Sequence, residues 1–253
     1  MNWVRRRMGG GFTLPLLLLA AWAAAVHLGW LDIRLWSSPE QVLAAARQRL
    51  QDGSLGLALI ASLKRDLAGF AIGALTGLLL GLFLARVRLA DLLLSPTLNG
   101  TRQVALFAWV PFLSLWLGNG EAGRIGFIAL AAFFPVLLHA HQGAAQIDRR
   151  YLELARILGL KPHRLLVKLV WPAAKPQIVI GLRLGLIYAW LGTIGAEYLF
   201  STTGGVGAMM MDARDLFRMD QVILDMLVIG GVGLILNWGL NGGARFLGSE
   251  GPG

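Results

Sequence analysis

The sequence predicts an all-α integral membrane protein with six transmembrane helices. Three observations predict it. Only 15% of the 253 residues are charged while 56% are hydrophobic, against about 25% charged in soluble domains. Mean hydropathy is +0.64. And six apolar runs approach the length of about 20 residues that a helix needs to cross a bilayer. A net charge of +9 would suit a nucleic-acid binder, but such a protein displays its charge on an exposed polar face, and this chain has little polar surface. No nucleic-acid partner is expected. Cysteine is absent, which excludes disulfides, thiolate metal sites and Cys nucleophiles.

The first run, Phe12 to Leu31, follows Arg5-Arg6-Arg7. A signal peptide has a shorter apolar region, and five more runs follow, so it reads as an uncleaved span. Ser38-Pro39-Glu40-Gln41 then offers an N-cap, Pro at the first helical position and a capping box. Leu43, Ala46 and Leu50 share one face behind it, which predicts a short amphipathic helix on the membrane surface. The second run, Leu67 to Ala85, is closed by Arg86 and Arg88. Its Gly69, Gly73, Gly77 and Gly81 recur every four residues, making a groove along one face where another helix can approach closely. The third run is Gln103 to Asn119, extended back through Leu92. The fourth is Ile125 to Ile147, the fifth Pro176 to Phe200 and the sixth Met226 to Ala244. The expected organisation is a tail and first span over 1–31, a periplasmic segment over 32–66, and a core of five spans over 67–247.

Between the fourth and fifth runs lies the most basic segment, residues 148–175. Asp148 can cap a helix in which Tyr151, Leu154, Ala155 and Leu158 recur at helical spacing. Gly159 stops it, with apolar Leu160 behind, as a Schellman motif prefers. Pro162 starts a second short helix, and Pro172 and Pro176 are expected to break the chain before the fifth span. Two short helices meeting at a glycine suit docking into a partner's groove or lying on lipid headgroups. The pattern alone leaves both open.

This segment resembles the EAA loop of ABC-importer permeases. Glu153-Leu154-Ala155 is followed by three residues and Gly159, and nine more lead to Leu169-Val170-Trp171-Pro172. Leu154, Leu169 and Trp171 depart from the pattern, all with apolar residues. The remainder is similar to the sulfonate/taurine/nitrate branch: Ala108-Trp109-Val110-Pro111-Phe112 with Leu115-Trp116-Leu117-Gly118-Asn119-Gly120-Glu121, then Phe133-Phe134-Pro135, Gly181-Leu182-Arg183, Ala196-Glu197 and Gly204-Gly205-Val206-Gly207. The resemblance implies a type I importer fold and a multi-pass protein of the bacterial inner membrane. It implies a permease homodimer, two cytoplasmic ATPases and a periplasmic solute-binding protein. It makes Glu153, Ala155, Gly159, Leu160 and Pro172 the residues that couple to the ATPase. ATP and Mg2+ would be bound by that partner, and this chain would hold no cofactor or metal.

Rival chemistry finds less support. Gly118-Asn119-Gly120-Glu121-Ala122-Gly123 matches G-x-G-x-x-G, but the run before it is a membrane span rather than the strand of a βαβ unit, so it reads as a tight turn. None of Lys64, Lys161, Lys168 or Lys175 follows Gly, so there is no P-loop, and an energy-coupled role requires a separate ATPase. The alternative from another class is a secondary transporter or channel without one. Charges inside a membrane are functional candidates by default. Here they are Arg102, Arg183, Glu197 and Asp225. Mutual pairing or snorkelling near the span ends is the plain reading. Arg102 could attract an anion, and Glu197 suits a gate or an Arg partner.

With both termini inside, which places the EAA-like loop in the cytoplasm, the inner segments hold 13 Lys and Arg and the outer segments 8, as the positive-inside rule requires.

Overall fold

The computed structural model describes residues 13, 17–30, 36–158, 162–200 and 204–246, and all the regular structure among them is helical. In chain order the helices are α1 (Leu17–His27), α2 (Pro39–Gln51), α3 (Ser54–Leu84), α4 (Arg88–Gln103), α5 (Val110–Leu117), α6 (Glu121–Ala145), α7 (Arg149–Ile157), α8 (Pro162–Leu165), α9 (Trp171–Leu199), α10 (Val206–Asp215) and α11 (Met219–Phe246). Four described helices are long and apolar enough to cross a membrane: α3, α6, α9 with the turn before it, and α11. Two shorter apolar helices, Leu17–His27 and Leu106–Leu117, occupy the positions of the first and third expected spans.

Small residues set the centre. α6 is sandwiched between α3 and α9. The four spaced glycines of α3 all face α6: a Cβ on Gly69 would lie 2.5 Å from Ile128 Cβ, on Gly77 2.6 Å from the Phe133 carbonyl oxygen, and on Gly81 2.5 Å from that of Leu137. At Gly73 the Ala129 carbonyl is closer still. From the other side, Cβ atoms on Gly181 and Gly185 would lie 2.7 Å from His139 and Val136. Without Cβ atoms the backbones approach closely enough for packing alone to hold the helices, which matters where lipid is as apolar as the side chains. Phe127, Ile128, Ala132, Ala189, Ala196 and Phe200 fill one end of this sandwich, and Ala140, Ala144, Val170, Ala174 and Ile178 the other. α11 leans on α9, where Trp190 Nε1–H donates to the Ile229 carbonyl at 3.1 Å.

Three expectations need correction. The third run is not one helix. α4 ends at Gln103, Val104 and Ala105 are extended, Leu106–Trp109 is a 3-10 turn, and α5 follows. Pro111 sits in the first turn of α5, where its missing N–H costs no helical bond and its fixed φ favours a new helix start.

Nor do the prolines break the chain before the fifth span. A π-helical turn, Leu166–Val170, runs straight into α9, with Pro172 in its first turn and Pro176 inside it. A proline in the first turn lacks only a hydrogen bond the helix could not make.

Finally, α2 forms with both halves of its capping box but buries a different face. Val42 and Ala45 pack on Leu224 of α11, while Leu43 and Leu50 are exposed. Arg49 decides the face: its Nη1 donates to Asp225 Oδ1 at 2.5 Å and its Nη2 to Gln221 Oε1 at 2.7 Å, in a buried site.

Candidate functional site

Three places bear on function: a charge cluster at one end of the sandwich, a cavity at the helix break, and the segment around α7 at the opposite end.

The cluster is built on Glu197, which is 2% exposed and sits at the last turn of α9. Ser62 of α3 donates to it at 2.8 Å, Arg65 Nη1 donates at 2.8 Å, and the Gly207 N–H at the start of α10 donates at 2.9 Å. The Ser62 hydroxyl accepts from the Val206 N–H at 2.9 Å. A carboxylate at a helix N-terminus compensates unpaired N–H groups and the positive end of the dipole. Gly205 is required here, since its φ is +115° and a Cβ would fall onto the Glu197 carboxylate. Arg65 also forks onto Glu121, Nε and Nη2 lying 2.8 and 2.7 Å from its oxygens, and it donates to the Gly204 carbonyl at 2.6 Å. Arg124, fully buried, reaches Glu121 at 3.5 Å and the Phe200 carbonyl at 3.4 Å. Two cations and two carboxylates therefore join α3, α6, α9 and α10 with no net charge.

The intramembrane charges do not pair with one another as expected. Glu197 takes Arg65 and Asp225 takes Arg49, both from the stretch read as outside the bilayer. For Glu197 the reason is that α3 starts at Ser54, where Asp52 Oδ1 accepts from the Ser54 N–H at 2.9 Å, well before the uncharged run. That brings Arg65 level with Glu197, while Arg49 reaches Asp225 from α2. The missed signal was Asp52-Gly53, a helix start that carries Ser62, Arg65 and Asp66 into the bundle. Arg183 is half-buried and its Nε has no hydrogen-bond partner among the described residues.

Arg102, in the last turn of α4, lines a cavity of about 410 Å³. The broken segment forms one wall through Arg102, Val104 and Trp109. α6 contributes Phe134 and His139, and α9 contributes Tyr188. His139 Nδ1 lies 3.1 Å from Gln177 Oε1. Non-helical backbone at membrane depth is tolerated where it is buried in protein or lines a water-filled cavity. Of Arg102, Arg183 and Glu197, only Arg102 reaches this cavity. The tight turn at Gly118 to Gly123 joins α5 to α6, with Gly118 at φ +78° and Gly120 as N-cap.

At the other end, Asp148 Oδ1 accepts from the Arg150 N–H at 2.9 Å and opens α7. Ala155 is buried, while Tyr151, Leu154, Ile157 and Leu158 are 60%, 53%, 82% and 68% exposed. Glu153 and Pro172 are exposed. Gly159 and Leu160 lie outside the described residues. Nearby, burial holds the Arg86 guanidinium below its ordinary range.

Residues 77–247 match the model of the family described as binding-protein-dependent transport system inner membrane component. A protein of Bacillus subtilis named as an aliphatic sulfonates transport permease is 35% identical over 90% of this chain and 83% of its own. One of the same description in Escherichia coli is 34% identical over 85% and 81%. A bicarbonate transport system permease of Synechocystis is 31% identical over 81% and 75%. Among solved structures, a chain of the MetNI methionine ABC transporter in inward-facing conformations aligns with TM-score 0.54 and 19% identity, over 71% of this chain and 92% of that one. This last likeness is one of fold.

Proposed function

Because the chain belongs to the family of binding-protein-dependent transport system inner membrane components, we propose that it is the permease subunit that carries a small anion through an ABC importer. The solute class is aliphatic sulfonate or bicarbonate, the chemistry that the names of its relatives suggest, or taurine or nitrate, which the sequence resemblance adds. In this reading the chain crosses the inner membrane six times with both termini inside. It works as a homodimer, a solute-binding protein delivers the anion from the periplasm, and two cytoplasmic ATPases bind ATP and Mg2+.

The observation that carries the reading is α7. Three large apolar side chains, Tyr151, Leu154 and Ile157, stand exposed on a helix of nine residues that also carries Glu153, Leu158 follows directly behind them, and no described residue covers them. An amphipathic helix with an uncovered apolar face fits a groove on a partner. Glu153, Ala155, Gly159, Leu160 and Pro172 are the coupling positions. The π-helical turn into α9 gives a displacement of this segment a continuous helical route across the membrane. The cavity beside Arg102 supplies a cationic wall for an anion. Glu197 acts as a lock on the outer end rather than as a ligand, since its charge is already compensated.

Co-purification tests the reading. A partner ABC ATPase, co-expressed with this chain, is expected to remain bound to the wild type in detergent and to be lost from Glu153→Arg. Transport by the isolated chain on an ion gradient, without ATP, would refute it.

A further inference from the structure

Asp66 is a buried acid that the proposed transport cycle does not use. It lies in α3, one turn beyond Ser62, and is 0% exposed. Its Oδ1 is 3.1 Å from the Thr193 hydroxyl of α9, and its Oδ2 is buried without a hydrogen-bond partner among the described residues. Among the described residues no cation lies within ion-pair distance of it. Arg65, next to it on α3, is spent on Glu197 and Glu121, and Arg124 of α6 turns to Glu121 and the Phe200 carbonyl.

The Thr193 hydroxyl has one proton. It lies 3.0 Å from the Ala189 carbonyl, which can only accept. When the threonine donates there, the Asp66 contact requires a proton from Asp66. Were Asp66 ionised, a bare charge would sit in the protein interior with one hydrogen bond at most and one oxygen without any, an arrangement buried carboxylates avoid by taking up a proton. Glu197, one turn away on the same seam, has the opposite surroundings: every group that touches it is a donor, and one is a cation.

We propose that Asp66 is a proton-binding site in the α3–α9 seam, carried as the neutral acid in mildly acidic solution and donating its proton to Thr193, while Glu197 beside it meets only donors. The site holds one proton exchangeable with solvent and takes no other ligand. It stands on the α3–α9 geometry alone and is independent of what is transported.

Infrared difference spectroscopy on the full chain in lipid tests it. In mildly acidic buffer, where an ordinary aspartate is still ionised, wild type minus Asp66→Asn is expected to show the carbonyl stretch of a protonated carboxyl, shifted down in D2O. Wild type minus Glu197→Gln is expected to show carboxylate bands instead. Carboxylate bands in the Asp66 difference would overturn the proposal. Should Asp66→Asn fail to fold, Thr193→Val reads the same bond. Loss of the acceptor moves the protonated-carboxyl stretch to higher frequency, and an unmoved band would overturn the proposal equally.

Discussion

Replacing Arg49 by alanine would leave Asp225 buried with no counterion and no hydrogen bond. In the intact protein the two carry 7% and 0% of their exposure, and the guanidinium spans Asp225 and Gln221 at 2.5 and 2.7 Å. Asp225 Oδ2 has no second donor to fall back on. Removing one partner of a buried pair costs about 3–5 kcal/mol, roughly a hundredfold to a few thousandfold in the folding equilibrium. Asp225 can relieve part of this by taking up a proton, so the lower end is expected. The damage is local: α2 loses its grip on α11, where the buried apolar cluster among the described residues is small, Val42, Ala45 and Leu224 with Ala46, Ile223 and Val228 packed against it. The assay is loss of the monodisperse species on heating in detergent, for wild type, Arg49→Ala, and the double variant Arg49→Met with Asp225→Leu. The single variant is expected to melt well below wild type. The double variant should recover most or all of the loss, since apolar replacement of a whole buried pair is often neutral or stabilising. Equal melting of Arg49→Ala and wild type, or a double variant no better than the single, would refute the assignment of α2's position to this pair.

The same heating assay tests the glycine face of α3. Gly77→Leu places a side chain against the Phe133 carbonyl, which as backbone cannot give way, and should cost at least the 1–3 kcal/mol of an overpacked core. Gly56→Ala on the same helix meets nothing within 4 Å and should gain about 0.8–1 kcal/mol from helix propensity. Equal effects would mean that the spacing is incidental. Arg102→Ala should reduce anion uptake about tenfold or more, the worth of a hydrogen bond to a charged group. Unchanged uptake and unchanged transporter-stimulated ATP hydrolysis would remove Arg102 from the pathway.

Much of this was legible in the sequence. The four glycines announced a close-packed face because i, i+4 spacing is enough to place them together, and the Ser38 box was readable because caps are local. The partners of Glu197 and Asp225 were not legible. Apolar runs locate the lipid-facing part of a helix but do not say where the helix begins. Ser62, Arg65 and Asp66 lie ahead of the run on a helix that starts at Ser54, so charges that looked external became internal ones. The break at Val104 and Ala105 was hidden for the opposite reason. The hydropathy of 103–119 is continuous, and a single Pro111 gave the only local hint that the backbone is not.

The seam between α3 and α9 has consequences for how such a bundle can move. The helices are antiparallel, and two polar contacts one turn apart cross between them: Ser62 meets Glu197, and Asp66 meets Thr193. Each pairs a hydroxyl with a carboxyl, in reversed order. A slip of one turn, about 5.4 Å, would either set Glu197 against Asp66 or carry both acids away from their hydroxyls. The first buries two carboxyls against each other and the second strands them, so both are costly. The interlocked glycine faces on α6 forbid the same slip sterically. α3, α6 and α9 therefore move as one body, and conformational change falls to elements tied less tightly to it. α4 is the clearest of these, since none of its residues is buried within the chain. It runs between the extended Val104 and Ala105 and the short link to α3, with Asp91 3.1 Å from His141 Nε2 of α6. A proposed cycle in which α7 drives the permease is then one in which the three-helix body tilts whole, and the broken segment beside Arg102 takes up the difference.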